Sequence, residues 1–200
     1  FPSPGFLRFV DDGATLVVSG AVADVDDSGE VEAMAYDADT GRARWSAPQP
    51  VAGAIAEDPR HDAVIVADTF GTGVLQRLDL ATGTPERTFD TQTGGACYVV
   101  TSSAGRYLAA ASCARSRLAL WSLAGAGATI RHVADAELAV DGPIVNRDGS
   151  YLAINPDARY PDSDQIVELD VATGALTPVD LPPGYQTAFG YRPNGHAVLV

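Results

Sequence analysis

Lysine is missing from this 200-residue chain, so its 13 basic side chains are all arginines, set against 26 aspartates and glutamates. The formal charge of −13 repels phosphate backbones and anionic lipid, which removes nucleic acid and membrane surfaces from the expected partners. Cysteine is scarce as well. Cys97 and Cys113 are too few for a disulfide framework and cannot by themselves build a zinc site. No apolar run approaches the roughly 18 to 20 residues of a spanning helix, and no basic, apolar, small-residue export signal opens the chain. Because the first residue is Phe1 and not methionine, the compartment stays open. Catalytic signatures are lacking too: G-x-S-x-G, H-E-x-x-H and C-x-x-C do not occur. Gly71-Thr72-Gly73 and Gly125-Ala126-Gly127 have neither the third glycine nor the following helix of a nucleotide loop, and read as strand-linking turns.

What is present is 46% hydrophobic residues, arranged with a period of two. In Val74 to Phe89, VLQRLDLATGTPERTF, Leu78 and Leu80 alternate with Arg77 and Asp79, and Ala81-Thr82-Gly83 supplies a glycine where the backbone reverses. The same strand, turn, strand plan recurs at Met34 to Trp45, Leu118 to Ile130 and Ile166 to Val179. Upstream of each lies a second hairpin ending in a very apolar strand. Its copies are Phe6 to Gly20, Ala54 to Asp68, Tyr98 to Ser112, Ile144 to Pro156 and Ala188 to Val200. Aligning their turns on Gly13, His61, Gly105, Gly149 and Gly195 gives steps of 48, 44, 44 and 46 residues.

A repeat in the forties with four strands per unit predicts an all-β fold, a β-propeller of four-stranded antiparallel blades. Four full blades are expected at about 1–50, 51–93, 94–138 and 139–183, with a half blade over 184–200. Calling the strands of a blade a to d, the b strands Leu16-Val17-Val18 and Val64-Ile65-Val66 are apolar on consecutive residues, as strands covered on both faces are. Strand c brings Tyr36, Leu78, Trp121 and Leu169 to one equivalent position, an expected core column between blades. The last unit has strands a and b only. A ring would not close from these pieces, so the chain is expected to be part of a single propeller domain whose remaining blades, to a total of seven or eight, belong to the same polypeptide.

The D-x-x-T-G turns at Asp37, Asp79 and Asp170, with hairpins such as Arg147-Asp148-Gly149-Ser150-Tyr151-Leu152-Ala153, resemble those of bacterial WD40-like, YVTN and quinoprotein-like propellers. The Trp-Asp dipeptide that names WD40 repeats is missing, Trp121-Ser122 being the nearest relic. Ala35 to Trp45, AYDADTGRARW, looks like the tryptophan-docking motif of the quinoproteins, in which a d-strand tryptophan packs against the next blade. The matching places in the other blades fall near Phe89, Ile130 and Val179. The resemblance implies a propeller appended to a larger bacterial protein, with a cytoplasmic setting favoured over export. It also implies that pyrroloquinoline binding would need an axial calcium-centred pocket, for which these residues offer no pattern.

Candidate site residues gather in loops. Asp24, Asp26 and Ser28 place oxygens at relative positions 1, 3 and 5, Gly29 stands at 6 and Glu32 at 9, a spacing that suits a calcium ion around a sharp turn. Position 12 is Ala35, so the helical calcium loop is incomplete, and the spacing is closer to the calcium hairpins of integrin-type propellers; the plainer alternative is a solvated acidic loop. No other cofactor is indicated. Cys97 opens strand a and Cys113 closes strand b of one hairpin, but counting across the turn sets Cys97 opposite residue 110. The three-residue offset is about 10 Å, so a disulfide between them would need a bulge. His61, His132 and His196 lie in different blades, and a shared metal site is not expected.

In a propeller the b–c and d–a connections share one end of the blades. The b–c loops carry Asp24, Asp26, Asp27, Glu30, Asp68, Asp157, Asp162 and Asp164, and the d–a loops add Asp90, Asp135, Glu137, Asp141 and Asp180. This acidic loop face is expected to bind a partner protein or basic peptide. The expected function is thus a non-catalytic interaction or sensing module of a larger protein. The alternative is part of a propeller enzyme, a quinoprotein-like dehydrogenase or propeller-gated peptidase, whose active-site residues lie outside this chain.

Overall fold

The computed structural model describes residues 3–21, 31–49, 53–67, 73–90, 95–96, 98–102, 104–111, 118–123, 130–133, 140–145, 151–156, 166–170, 172–173, 175–179, 190–191 and 198–199. Blade 1 comprises β1 (Ser3–Val10), β2 (Thr15–Ala21), β3 (Val31–Asp37) and β4 (Ala43–Gln49). Blade 2 comprises β5 (Ile55–Asp58), β6 (Ala63–Ala67), β7 (Val74–Asp79) and β8 (Pro85–Asp90). Blade 3 comprises β9 (Tyr98–Thr101), β10 (Tyr107–Ala111), β11 (Leu118–Ser122) and β12 (Ile130–Val133). Blade 4 comprises β13 (Val140–Val145), β14 (Tyr151–Pro156), β15 (Val167–Asp170) and β16 (Leu176–Pro178). A strand pair, β17 (Gly190–Tyr191) with β18 (Val198–Leu199), follows. Each sheet is a meander in chain order. Four such sheets and a partial fifth are the blades of a β-propeller fold.

The chain divides into two compact units, Phe1–Val99 and Val100–Val200. In the first, one core joins two blades. Val10, Val17, Ala33, Ala35, Trp45 and Ala47 of blade 1 pack with Ile55, Val64, Val66 and Leu78 of blade 2. Burying a side chain such as Val64 or Leu78 contributes about 1.5 to 3 kcal/mol. Polar links flank this seam: Gly53 N–H donates to Ser19 Oγ at 3.2 Å, and Arg8 Nη1 donates to the Ile55 carbonyl at 3.3 Å. The second unit has its own core of Ala109, Ala111, Leu118, Leu120 and Leu169, with Val100 and Tyr107 packed on it. In both seams the face of one blade that lies opposite to its own column residue meets the c-strand column residue of the next, Leu78 or Leu169.

The pairing register confirms that column and corrects it in one blade. Tyr36, Leu78, Trp121 and Leu169 pair with Leu16, Val64, Leu108 and Leu152, four equivalent places. Leu78, Trp121 and Leu169 are buried, whereas Tyr36 is half-buried and its hydroxyl lies 3.3 Å from Met34 Sδ. Likewise β6 is buried along its whole length, but in β2 burial alternates, Val17 being enclosed and Leu16 and Val18 only partly so. The physical reason is that blade 1 has one covered face. A second correction concerns Trp45. It pairs with Ala35, and the matching pairs are Arg77 with Arg87, Leu120 with Arg131 and Glu168 with Thr177. The indole position is therefore held by Arg87, Arg131 and Thr177, one or two residues away from Phe89, Ile130 and Val179. A bulge between β3 and β4 recurs at the same step between β7 and β8, so Trp45 and Arg87 stand equally far beyond Asp37 and Asp79.

Candidate functional site

The D-x-x-T-G turns are built by their aspartates. Thr40 donates through its N–H at 2.9 Å and its hydroxyl at 2.7 Å to Asp37 Oδ1, and Gly41 N–H donates to the Asp37 carbonyl at 2.9 Å. Thr82 repeats both bonds to Asp79 Oδ1 at 2.7 Å, and Asp170 Oδ1 accepts from the Ala172 and Thr173 amides at 2.8 and 3.0 Å. Arg44 adds an ion pair to Asp37 at 2.9 Å and donates to the buried Thr15 hydroxyl at 2.7 Å. The Arg44 hydrogen bond, then those from Thr40, lower the Asp37 pKa to about 2 from 3.8. Thr82 lowers that of Asp79, and the Thr173 amide that of Asp170.

These turns also position the seam. Gly41 and Gly83 adopt φ of +67° and +71°, a region that costs L-residues a clash of Cβ with the carbonyl oxygen. Over Gly83 lies the Trp45 ring, so close that a Cβ there would stand 2.6 Å from Cε3 and 2.7 Å from Cδ2. The indole Nε1–H donates to the Leu80 carbonyl at 2.7 Å. The docking geometry expected of AYDADTGRARW is thus present, from blade 1 to blade 2.

A polar cluster that the sequence did not single out occupies the a–b turn of blade 2. Asp58 is fully buried at the end of β5, and its carboxylate accepts from His61 Nδ1 at 2.9 and 3.0 Å. Arg77 Nη1 stands 3.5 Å from Asp58, while Arg77 Nε lies 2.9 Å from Glu86 Oε2 out of hydrogen-bonding line. An ionised carboxylate only accepts, so this contact keeps the His61 proton on Nδ1. The Asp58-Pro59-Arg60-His61 turn hinted at the first pair. Arg77 comes from β7, and only the sheet register brings it within reach.

Most of the sequence candidates fall elsewhere. Asp24, Asp26, Asp27, Ser28, Glu30, Asp68, Asp135, Glu137, Asp157, Asp162, Asp164 and Asp180, with both Cys97 and Cys113, lie outside the described residues. Of the calcium set only the Glu32 backbone is described, in β3 opposite Gly20 and Pro48. Two d–a acids belong to strands and not to loops. Asp90 ends β8 paired with Val74, and Asp141 lies in β13 paired with Asn155. Asp11, Asp12, Asp39 and Asp62 are exposed in a–b and c–d turns, so acidity is not confined to the b–c end of the first unit. Among the described residues no three His, Cys, Asp or Glu side chains come together as a metal site. Nor is any helix there long and apolar enough to cross a membrane.

No protein-family model matches the sequence, and no curated protein matches it. Among solved structures, the chain is similar to a functionally unknown protein from Desulfotomaculum acetoxidans DSM 771, with a TM-score of 0.68 and 14% identity over 89% of this chain. It spans 55% of that protein's length. It is also similar to a chain of a nidogen/laminin complex, with a TM-score of 0.67 and 16% identity over 94% of this chain and 68% of that one. The nidogen of that complex has a β-propeller, so these likenesses show the same fold as the strand order does.

Proposed function

We propose that the chain is a non-catalytic propeller module of a larger bacterial protein, one that receives a basic peptide or basic protein surface on its b–c and d–a loops. The charge carries this reading: −13 over 200 residues, four of the acids lying between Asp24 and Glu30 in a single b–c loop. Loops held by a rigid sheet are where binding residues usually sit, and a field of one sign steers an oppositely charged partner to them. In the first unit the buried polar groups Thr15, Ser19 and Asp58 are engaged in holding strands and turns together, which supports a scaffold. The nidogen/laminin complex offers a precedent for the fold within a protein–protein assembly. The Trp45 docking supports a quinoprotein-like kinship as a packing device.

Fluorescence anisotropy with a labelled octa-arginine peptide tests the proposal. Neutralising Asp24, Asp26, Asp27 and Glu30 together should weaken binding by about 1 to 4 kcal/mol, at roughly 0.2 to 1 kcal/mol per exposed pair, and raised salt should weaken it further. Neutralising Asp11, Asp12 and Asp39 at the opposite blade end is the control. Equal losses from both sets would show general acidity and no dedicated face.

A further inference from the structure

The a–b turn of blade 2 buries a charge that its counterparts do without. The last residue before this turn is Val10 in blade 1, Asp58 in blade 2 and Ser102 in blade 3, facing Thr15, Ala63 and Tyr107 across the strand pair. All three are enclosed, at 0 to 1% exposure. Ser102 closes its turn with a neutral hydroxyl, which accepts from the Arg106 and Tyr107 amides at 3.0 and 3.1 Å, while Gly105 N–H donates to the Ser102 carbonyl at 2.7 Å. In blade 2 His61 stands where Gly105 does, its N–H donating to the Asp58 carbonyl at 3.2 Å. Turn closure therefore needs neither a carboxylate nor an imidazole. A buried charge is costly unless well paired, and Arg77, the cation that faces Asp58 at 3.5 Å, is shared with Glu86. The charge at Asp58 calls for an account other than folding.

What the carboxylate does is fix a ring. Both Asp58 oxygens face His61 Nδ1, at 3.0 and 2.9 Å, which leaves Nε2 as the nitrogen that carries the lone pair. A carboxylate on the far N–H raises the basicity of the free nitrogen, and it balances the charge that the ring gains when Nε2 forms a bond. The side chain of His61 is 38% exposed and that of Asp58 is 0%, so the pair has one end in solvent and the other in the core. Beside it Arg60 is exposed, and its guanidinium has no ion pair among the described residues. No metal-binding group of three His, Cys, Asp or Glu forms there among the described residues. An activated nitrogen next to a guanidinium suits a small anionic electrophile instead.

We propose that His61 is a phosphoryl-acceptor site, with Nε2 as the nucleophile and Asp58 as the residue that positions it. In the transfer the Nε2 lone pair forms the N–P bond while the bond from phosphorus to the donor's leaving group breaks, and its electron pair departs with that group. The Nδ1 proton stays between the ring and Asp58, and Arg60 offsets the charge of the phosphoryl oxygens. The donor is an activated phosphate of the acyl phosphate or phosphoramidate class. This is a modification site, not a catalytic one. It stands apart from the proposed loop-binding function and survives its failure.

Incubation of the natural protein with phosphoramidate tests it, read by phosphorus NMR and peptide by peptide by mass spectrometry so that His132 and His196 do not interfere. His61 should be modified at Nε2 alone, and at least about tenfold faster than in Asp58→Ser, which installs the residue that closes the blade 3 turn. In that variant both ring nitrogens should react, because nothing holds the Nδ1 proton. Asp58→Asn, which preserves the shape of the carboxylate without its charge, repeats the rate comparison should Asp58→Ser misfold. Equal rates in the natural protein and the folded variant overturn the proposal. So does a phosphoryl group found on Nδ1 of the natural protein, or the absence of any at His61.

Discussion

Gly83→Ala and Gly41→Ala perturb two turns of one sequence pattern and should differ in cost for one reason. Both glycines have φ near +70°, so alanine at either position meets the left-handed penalty of about 1 to 2 kcal/mol. At Gly41 that is the whole effect in the 200-residue chain, since the new methyl meets open space. At Gly83 the methyl would stand 2.6 Å from the Trp45 ring, which is 8% exposed and anchored by its bond to the Leu80 carbonyl. Moving the ring breaks that bond and opens the seam, an overpacking cost of about 1 to 3 kcal/mol in addition. Gly83→Ala should therefore destabilise by roughly 2 to 5 kcal/mol and Gly41→Ala by about 1 to 2, read from urea denaturation. In a Trp45→Ala background the two substitutions should cost the same, and the missing difference is the coupling of Gly83 to Trp45. Equal costs in the native background, or a Gly83→Ala cost that persists without the indole, would refute the docking argument.

Leu78→Ala should cost about 2 to 5 kcal/mol in the same assay, whereas Tyr36→Ala, at the same register on the uncovered face, should cost about 1 kcal/mol or less in residues 1–200. Asp58→Ala removes the carboxylate that faces Arg77 and His61 and should destabilise by about 3 kcal/mol, at the low end for a broken buried pair because Glu86 still faces Arg77. With a folded pKa of about 2 against 3.8, Asp37 contributes stability that is complete above about pH 4 and lost as pH falls toward 2, with Asp79 and Asp170 acting in the same sense. Thermal melts of Asp37→Asn should thus fall less steeply across that window than those of the native chain; parallel curves would contradict the assignment.

Strand order and blade count were legible because a period of two, broken by glycine turns at regular steps, has few other solutions. The column Tyr36, Leu78, Trp121 and Leu169 could be aligned from spacing alone, since D-x-x-T-G fixes where strand c ends in three of the four blades. Burial could not be read the same way. Tyr36 and Leu78 occupy equivalent places, and what separates them is whether a neighbouring sheet lies against their face. The d strands misled because Phe89 is a large apolar side chain close to the right place, whereas the like bulges at Arg44 and Glu86 keep the spacing from Asp37 to Trp45 equal to that from Asp79 to Arg87 and so put Arg87 at the indole position. The Asp58 cluster was invisible because its members are up to 28 residues apart in sequence, at 58 and 86, and meet only through the register of three strands.

The pentapeptide turn does two jobs that look independent in sequence. By binding the Thr40 and Thr82 amides and hydroxyls, Asp37 and Asp79 close a turn whose last residue must take positive φ, and that requirement selects glycine. A residue without Cβ then leaves a flat patch beside a carbonyl, the shape and polarity an indole edge needs. Turn chemistry within one blade thereby creates the recognition surface for the blade before it, and the seam keeps its register without a dedicated contact residue on the receiving side. Blade 2 departs from this on its own outgoing side, where Arg87 replaces the indole and lies 5.0 Å over the Phe89 ring. A cation stacked on its own strand neighbour is held within its sheet. Among the described residues the Trp45 dock thus belongs to the junction of the first two blades.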